Sequence, residues 1–159
     1  MKTTTIREGK PEDVPQILSL VKELAEYEKA LHEVINTEEA MLRDGFGENP
    51  TYAFFVAESD GAIQGVALHY IRYSTWKGNM LFLEDIVVKE ALRGQGVGSA
   101  LFEACLRLCV EKQYSGMCWQ VLDWNTPAIE FYKSLDSEVS SEWLNGRLEG
   151  NALRALAKG

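Results

Sequence analysis

The feature that most restricts this chain is the heptapeptide Arg93-Gly94-Gln95-Gly96-Val97-Gly98-Ser99, set between an apolar run that ends at Val88 and an amphipathic run that starts near Val97. Glycine lacks a Cβ, so the backbone here can curl until several N–H groups face one point, and a helix starting directly afterwards adds the positive end of its dipole. The pattern predicts a strand, a glycine loop and a helix in that order, with a phosphate-bearing ligand favoured at the loop. The segment does not end in Gly-Lys-Ser/Thr as nucleoside triphosphatase loops do, and its spacing is not the dinucleotide Gly-x-Gly-x-x-Gly. A glycine turn with a purely structural purpose is the alternative.

The remaining periodicities supply the elements around that loop. Thr3 to Glu8 reads as a first strand, followed by a helix with Pro11 in its first turn and Val14, Ile17, Leu18, Val21, Leu24 and Ala25 on one stripe. Thr37-Glu38-Glu39 opens a short helix that Gly45 should end. Tyr52 to Glu58 and Ala62 to Tyr73 are aromatic and β-branched runs joined by Ser59-Asp60-Gly61, a strong hairpin signal. Met80 to Val88 is apolar enough to be a central strand. Beyond the loop, Val97, Leu101, Ala104, Cys105 and Leu108 mark a long helix, and Met117 to Leu122 the next strand. Asn125-Thr126-Pro127 caps a helix carrying Ala128, Ile129, Phe131, Tyr132 and Leu135. Trp143 to Leu148 is expected as a last strand and Asn151 to Ala157 as a terminal helical turn. No repeat or linker interrupts the chain, so one domain over residues 1–159 is expected.

Composition narrows the partners. A net charge of -8 argues against nucleic acid or an anionic membrane surface. The bias is local: Lys22 to Glu48 holds eight carboxylates against three basic groups, which suits either a cationic ligand or a solvated helix face. No signal-like N-terminus and no uncharged run near ~20 residues is present, so a cytoplasmic location is expected. Cys105, Cys109 and Cys118 lack metal or disulfide spacing and read as reduced and buried. His32 and His69 are isolated, and no metal site is expected.

Glu84 and Asp85 stand between Leu81-Phe82-Leu83 and Ile86-Val87-Val88, in a strand that should be buried. An unpaired buried carboxylate is costly, so the pair needs a reason. Strand alternation points the two to opposite faces, and at most one should share a given pocket. An arginine partner or a strand bulge is the structural alternative to a functional role.

The glycine loop after an apolar strand, as Arg93-x-x-Gly96-x-Gly98, resembles the acetyl-coenzyme A loop of the GCN5-related N-acetyltransferases (GNAT). The resemblance implies an α/β (α+β) acyltransferase fold, with a central mixed, mostly antiparallel sheet flanked by helices. It also implies that the amides of Arg93, Gly94, Gln95, Gly96, Val97, Gly98 and Ser99 hold the coenzyme diphosphate, and that the backbone of Ile86, Val87 and Val88 pairs with the pantetheine arm. Acyl transfer to an amine requires a base for the ammonium proton and benefits from an acid for the departing thiolate. Glu84, directly or through a water, is the candidate base. Tyr132, in Asn125-Thr126-Pro127-Ala128-Ile129-Glu130-Phe131-Tyr132-Lys133, matches the family's Phe-Tyr segment near the coenzyme sulfur and is the candidate acid. A core aromatic is the other reading of Tyr132. Asn125 corresponds to a family residue that contacts the coenzyme arm or orders water, and a helix cap explains it equally well.

Within that family the chain is most similar to the diamine and polyamine (spermidine/spermine-type) branch and its thialysine-acetylating relatives. The supporting segments run from Ile17 to Glu28, from Asp44 to Glu48, from Tyr73 to Gly78, through Leu83-Glu84-Asp85 and along the Tyr132 helix. The resemblance implies an amine channel lined by Tyr27, Glu28, Trp76, Glu84 and Asp85, and a homodimer with its sites near the subunit contact. Ser74 stands where polyamine enzymes tend to carry an acid two residues before the tryptophan, which favours a shorter amine: thialysine, a lysine-like amino acid or a diamine. Leu135-Asp136 replaces a common glycine after the Phe-Tyr helix and is expected to alter the following turn. The implied reaction is acetyl transfer from acetyl-CoA to a small cationic amine. The alternatives are a non-catalytic acyl-CoA binding module and acetylation of a protein amine or an aminoglycoside.

Overall fold

The structure, a computed structural model, describes residues 3–158. The chain falls into two compact units, one up to Gln120 and one from Val121 onward. The first holds a five-stranded sheet in the order β1-β2-β3-β4-β5, with β1 Thr5–Glu8, β2 Ala53–Ser59, β3 Ala62–Ser74, β4 Gly78–Val88 and β5 Met117–Trp119. β1 to β4 are successively antiparallel, and β5 runs parallel to β4. The parallel step requires a crossover, which α3, Val97–Glu111, provides. The β2–β3 turn places Asp60 and Gly61 in the left-handed region, at φ 53° and 74°, the pair of conformations that matches the twist of a two-residue hairpin.

Two helices precede the hairpin: α1, Val14–Tyr27, and α2, Glu38–Phe46. Pro11 opens a single 3-10 turn, Pro11–Asp13, before α1 begins. On β3 the neighbours Gly65 and Val66 point to opposite faces. Val66 joins a cluster with Val14, Ile17, Leu18 and Leu20 of α1 and Met41 of α2. A Cβ on Gly65 would lie 3.1 Å from Leu101 Cδ1 of α3. Helices α1 and α2 therefore cover one face of the sheet and α3 the other.

Gly45 does not end α2, as its type alone suggested. The helix runs to Phe46 and is capped by Gly47, while a Cβ at Gly45 would stand 2.6 Å from the Tyr52 ring. The glycine admits an aromatic ring rather than breaking a helix. Cys105 and Cys109 are buried and Cys118 only partly so, all three as free thiols.

The second unit contains α4, Thr126–Lys133, and α5, Gly150–Ala157. Among the described residues no strand lies beyond Trp119, so neither Val121-Leu122 nor Trp143–Leu148 is one. The latter carries Asn145-Gly146 at its centre, both poor strand formers. Asp136 has φ 57°, taking the left-handed conformation that glycine adopts without strain. Asp is among the few other residues that enter this region, and Ser137 Oγ closes the turn by donating to Tyr132 O at 2.5 Å.

Candidate active site

A single 3-10 turn, Glu90–Leu92, carries the chain from β4 into the glycine loop. Gly94 and Gly96 have φ of 74° and 82°, and nothing lies within 4 Å of where their Cβ atoms would stand. Conformation rather than crowding selects glycine here. Gly96 caps α3, and Ala100 N is bonded back to Gly96 O at 3.0 Å. The amides of Val97, Gly98 and Ser99 precede the first intrahelical bond and have no acceptor within the helix. Arg93 Nε donates to Val88 O at 3.2 Å, tying the loop to the end of β4, and Gln95 Nε2 donates to Ala91 O at 3.1 Å, tying it to the preceding 3-10 turn. An exposed first turn with two left-handed glycines is chemically suited to a diphosphate.

β5 pairs with β4 only from Leu81 to Leu83. On that side the edge from Glu84 to Val88 has no strand partner among the described residues, so backbone groups of Ile86, Val87 and Val88 are available to an extended, amide-bearing ligand.

On the other side, against β3, the register contains a bulge. Leu68 opposes Asp85 and His69 opposes Leu83, leaving Glu84 as the extra residue. The expectation that Glu84 and Asp85 point to opposite faces is overturned, because a bulge breaks the two-residue period and re-aims side chains. Both carboxylates line one cavity of about 420 Å³, with Leu18 and Val21 of α1, Val34 and Asn36, Met41 of α2, Thr51 and Tyr52, and Leu68 and Tyr70 of β3.

The lining carries two acids and no Lys, Arg or His. Burial, reinforced by the charges of Glu84 and Glu28, pushes the Asp85 carboxyl up to about 6. Glu28 directly follows α1 and is itself raised by burial. The Tyr70 hydroxyl donates to Glu84 Oε2 at 2.8 Å, and its ring stacks on Phe82 at 5.3 Å. Burial first, then the bond and charge of Glu84, push the phenol up to about 12, so it remains a donor across the working pH range.

Of the residues expected to line an amine channel, Glu84 and Asp85 share the cavity and Glu28 acts on Asp85 through its charge. Glu28, Tyr27 and Trp76 are not among the lining residues. Trp76 is 91% exposed on the β3–β4 hairpin. Ser74 Oγ there accepts from the amides of Trp76 and Lys77 at 3.2 and 3.1 Å, holding the turn. His69 is buried beside Phe55, and burial pushes its imidazole down to about 4, so it is neutral.

In the second unit, Asn125 Oδ1 accepts from Ala128 N at 3.4 Å, the capping role that its position allowed. Tyr132 is buried on α4 with its ring edge-on to Phe131. Sequence reasoning missed Tyr70, Asn36, Thr51 and Tyr52. Tyr70 had a readable signal: it is a hydroxyl-bearing aromatic in the strand that pairs with the Glu84 strand. The others reach the cavity through α2 and its connections, which no local pattern reports.

The Acetyltransferase (GNAT) family model matches residues 17–136. The chain is 43% identical over 168 residues to the Bos taurus thialysine N-epsilon-acetyltransferase, with 99% of each chain covered. It is 35% identical over 145 residues to the Homo sapiens spermidine/spermine N(1)-acetyltransferase-like protein 1, covering 86% of this chain and 21% of that protein. The aminoglycoside N-acetyltransferase AAC(6')-Iy in complex with CoA is a structural match at TM-score 0.75 and 23% identity, covering 94% of this chain and 97% of that one, a likeness of fold.

Proposed function

Because this chain belongs to the acetyltransferase (GNAT) family, we propose that it transfers the acetyl group of acetyl-CoA directly to the primary amine of a small cationic molecule. The observation that carries the reading is the bulge on β4, which turns two carboxylates into a cavity without a cation beside an unpaired strand edge. The amides of Arg93 to Ser99 hold the diphosphate, and Ile86, Val87 and Val88 take the pantetheine arm. Glu84 accepts the ammonium proton, directly or through a water, and so frees the nitrogen lone pair. The C–N bond forms as the C–S bond breaks, and Tyr132 gives its proton to the leaving sulfur. Asp85 and Glu28 attract the cationic acceptor, as carboxylates in a partly desolvated site do.

The acceptor class is a short amine such as thialysine, a lysine-like amino acid or a diamine. Ser74 spends its hydroxyl on the hairpin turn and offers no carboxylate for a distant ammonium. The family match crosses both units, which supports a single domain over residues 1–159. The reading extends to a cytoplasmic homodimer, whose mass light scattering measures. Screening diamines, polyamines, thialysine and lysine with acetyl-CoA and a thiol reagent should reveal coenzyme A release on at least one short amine. Silence across the whole set, with coenzyme A still raising the melting temperature, would instead support a non-catalytic module.

A further inference from the structure

Glu84 is the extra residue of a bulge and has no β3 residue opposite it. Its side chain is exposed to the cavity and would sample several rotamers if nothing held it. One contact restrains it: the Tyr70 hydroxyl donates to Oε2 at 2.8 Å. Tyr70 is itself fixed, since its ring stacks on Phe82 at 5.3 Å with an interplanar angle of 29°, and Phe82 is buried in the β3–β4 ladder opposite Tyr70. A rigid phenol thus grips one carboxylate oxygen, Oε2. We infer that Tyr70 is a positioning residue that sets the orientation of the Glu84 carboxylate for removing the ammonium proton.

This rests on Glu84 being the base. A single donor on a rigid ring holds Oε2, so the orientation of the carboxylate follows that of the Tyr70 ring. Asp85 follows Glu84 on β4, and the charges of Glu84 and of Glu28, which directly follows α1, both bear on Asp85. Arg72 of β3 and Cys118 of β5 act on Tyr70 itself, in opposite directions, and Tyr52, just before β2, lines the same cavity. Loss of the phenolic hydroxyl leaves the Glu84 carboxylate without its donor.

The test is the pH profile of kcat/KM for one amine in four proteins: wild type, Tyr70→Phe, Glu84→Gln and the double variant. Tyr70→Phe should lower kcat several-fold at neutral pH, because the carboxylate loses its fixed orientation. Its KM for acetyl-CoA and its melting temperature should stay at wild-type values. In the Glu84→Gln background the same change should alter kcat/KM by less than about twofold, because the two residues act as one unit. An unchanged kcat in Tyr70→Phe, with Glu84→Gln abolishing the acidic limb, overturns the role of Tyr70 and leaves Glu84 as base. A wild-type limb in Glu84→Gln overturns the assignment of the base and the inference with it. An equal further loss from Tyr70→Phe in both backgrounds shows a packing effect and also overturns the inference.

Discussion

Two carboxylates inside the first unit, Asp13 and Asp85, meet opposite treatment. Asp13 is 6% exposed and receives both terminal nitrogens of Arg7, at 2.8 and 2.9 Å, together with the Lys10 amide at 2.8 Å. Arg7 in turn bonds Glu58, so the start of α1 is riveted to β1 and β2. The guanidinium holds the Asp13 carboxyl below its ordinary value, and the same bond raises Arg7. Asp85 is half-buried, but its charged neighbours are Glu84 and Glu28, and its carboxyl is pushed up to about 6. One acid is compensated and contributes stability; the other is left uncompensated in a cavity that a cation can enter. A buried charge without a partner, placed next to a cleft, is what a binding site looks like before its ligand arrives.

The harshest way to break this contrast is Arg7→Ala. It strips Asp13 of its partner and should lower unfolding stability by about 3 kcal/mol, the usual range for an orphaned buried charge, read from the urea midpoint. Tyr132→Phe, which tests the acid rather than either aspartate, should slow turnover by about 10²-fold with folding intact. Asp85→Asn should do the reverse of Arg7→Ala: amine KM rises about tenfold as the attractive charge is lost, while stability at pH 8 increases by about 2 kcal/mol. A stability loss there would show that Asp85 is structural.

The pH dependence of stability separates the two residues further. Asp13 has a folded value below its unfolded one of about 3.9, so its contribution is present above that pH and fades as the pH falls through the folded value. Asp85, near 6 when folded, contributes below about pH 4 and loses that contribution as the pH rises through about 6. The melting-temperature difference between Asp85→Asn and wild type should therefore open between about pH 4 and 7. The smallest effect belongs to Glu28→Gln, which removes the weakest of the influences raising Asp85 and should change amine KM by about twofold to threefold.

The glycine loop, the Asp60-Gly61 hairpin, the Thr37 and Asn125 caps and the place of β4 between two other strands were all legible in the chain. Each depends on conformational or capping preferences that act over two to four residues, and these hold wherever the segment ends up. Where local pattern misled, a distant partner decided the outcome. Gly45 answers to the Tyr52 ring, and Trp143–Leu148 forms no strand.

The sequence by itself determined that a strand, a glycine loop and a helix follow one another and that Glu84 and Asp85 lie in an apolar strand. The tertiary structure alone decided that both carboxylates enter one cavity, that Tyr70 holds one of them and that Glu28 bears on the other. The reason is physical: a bulge is a mismatch between two strands and a field is a sum over neighbours, so neither exists until separate segments of the chain come together.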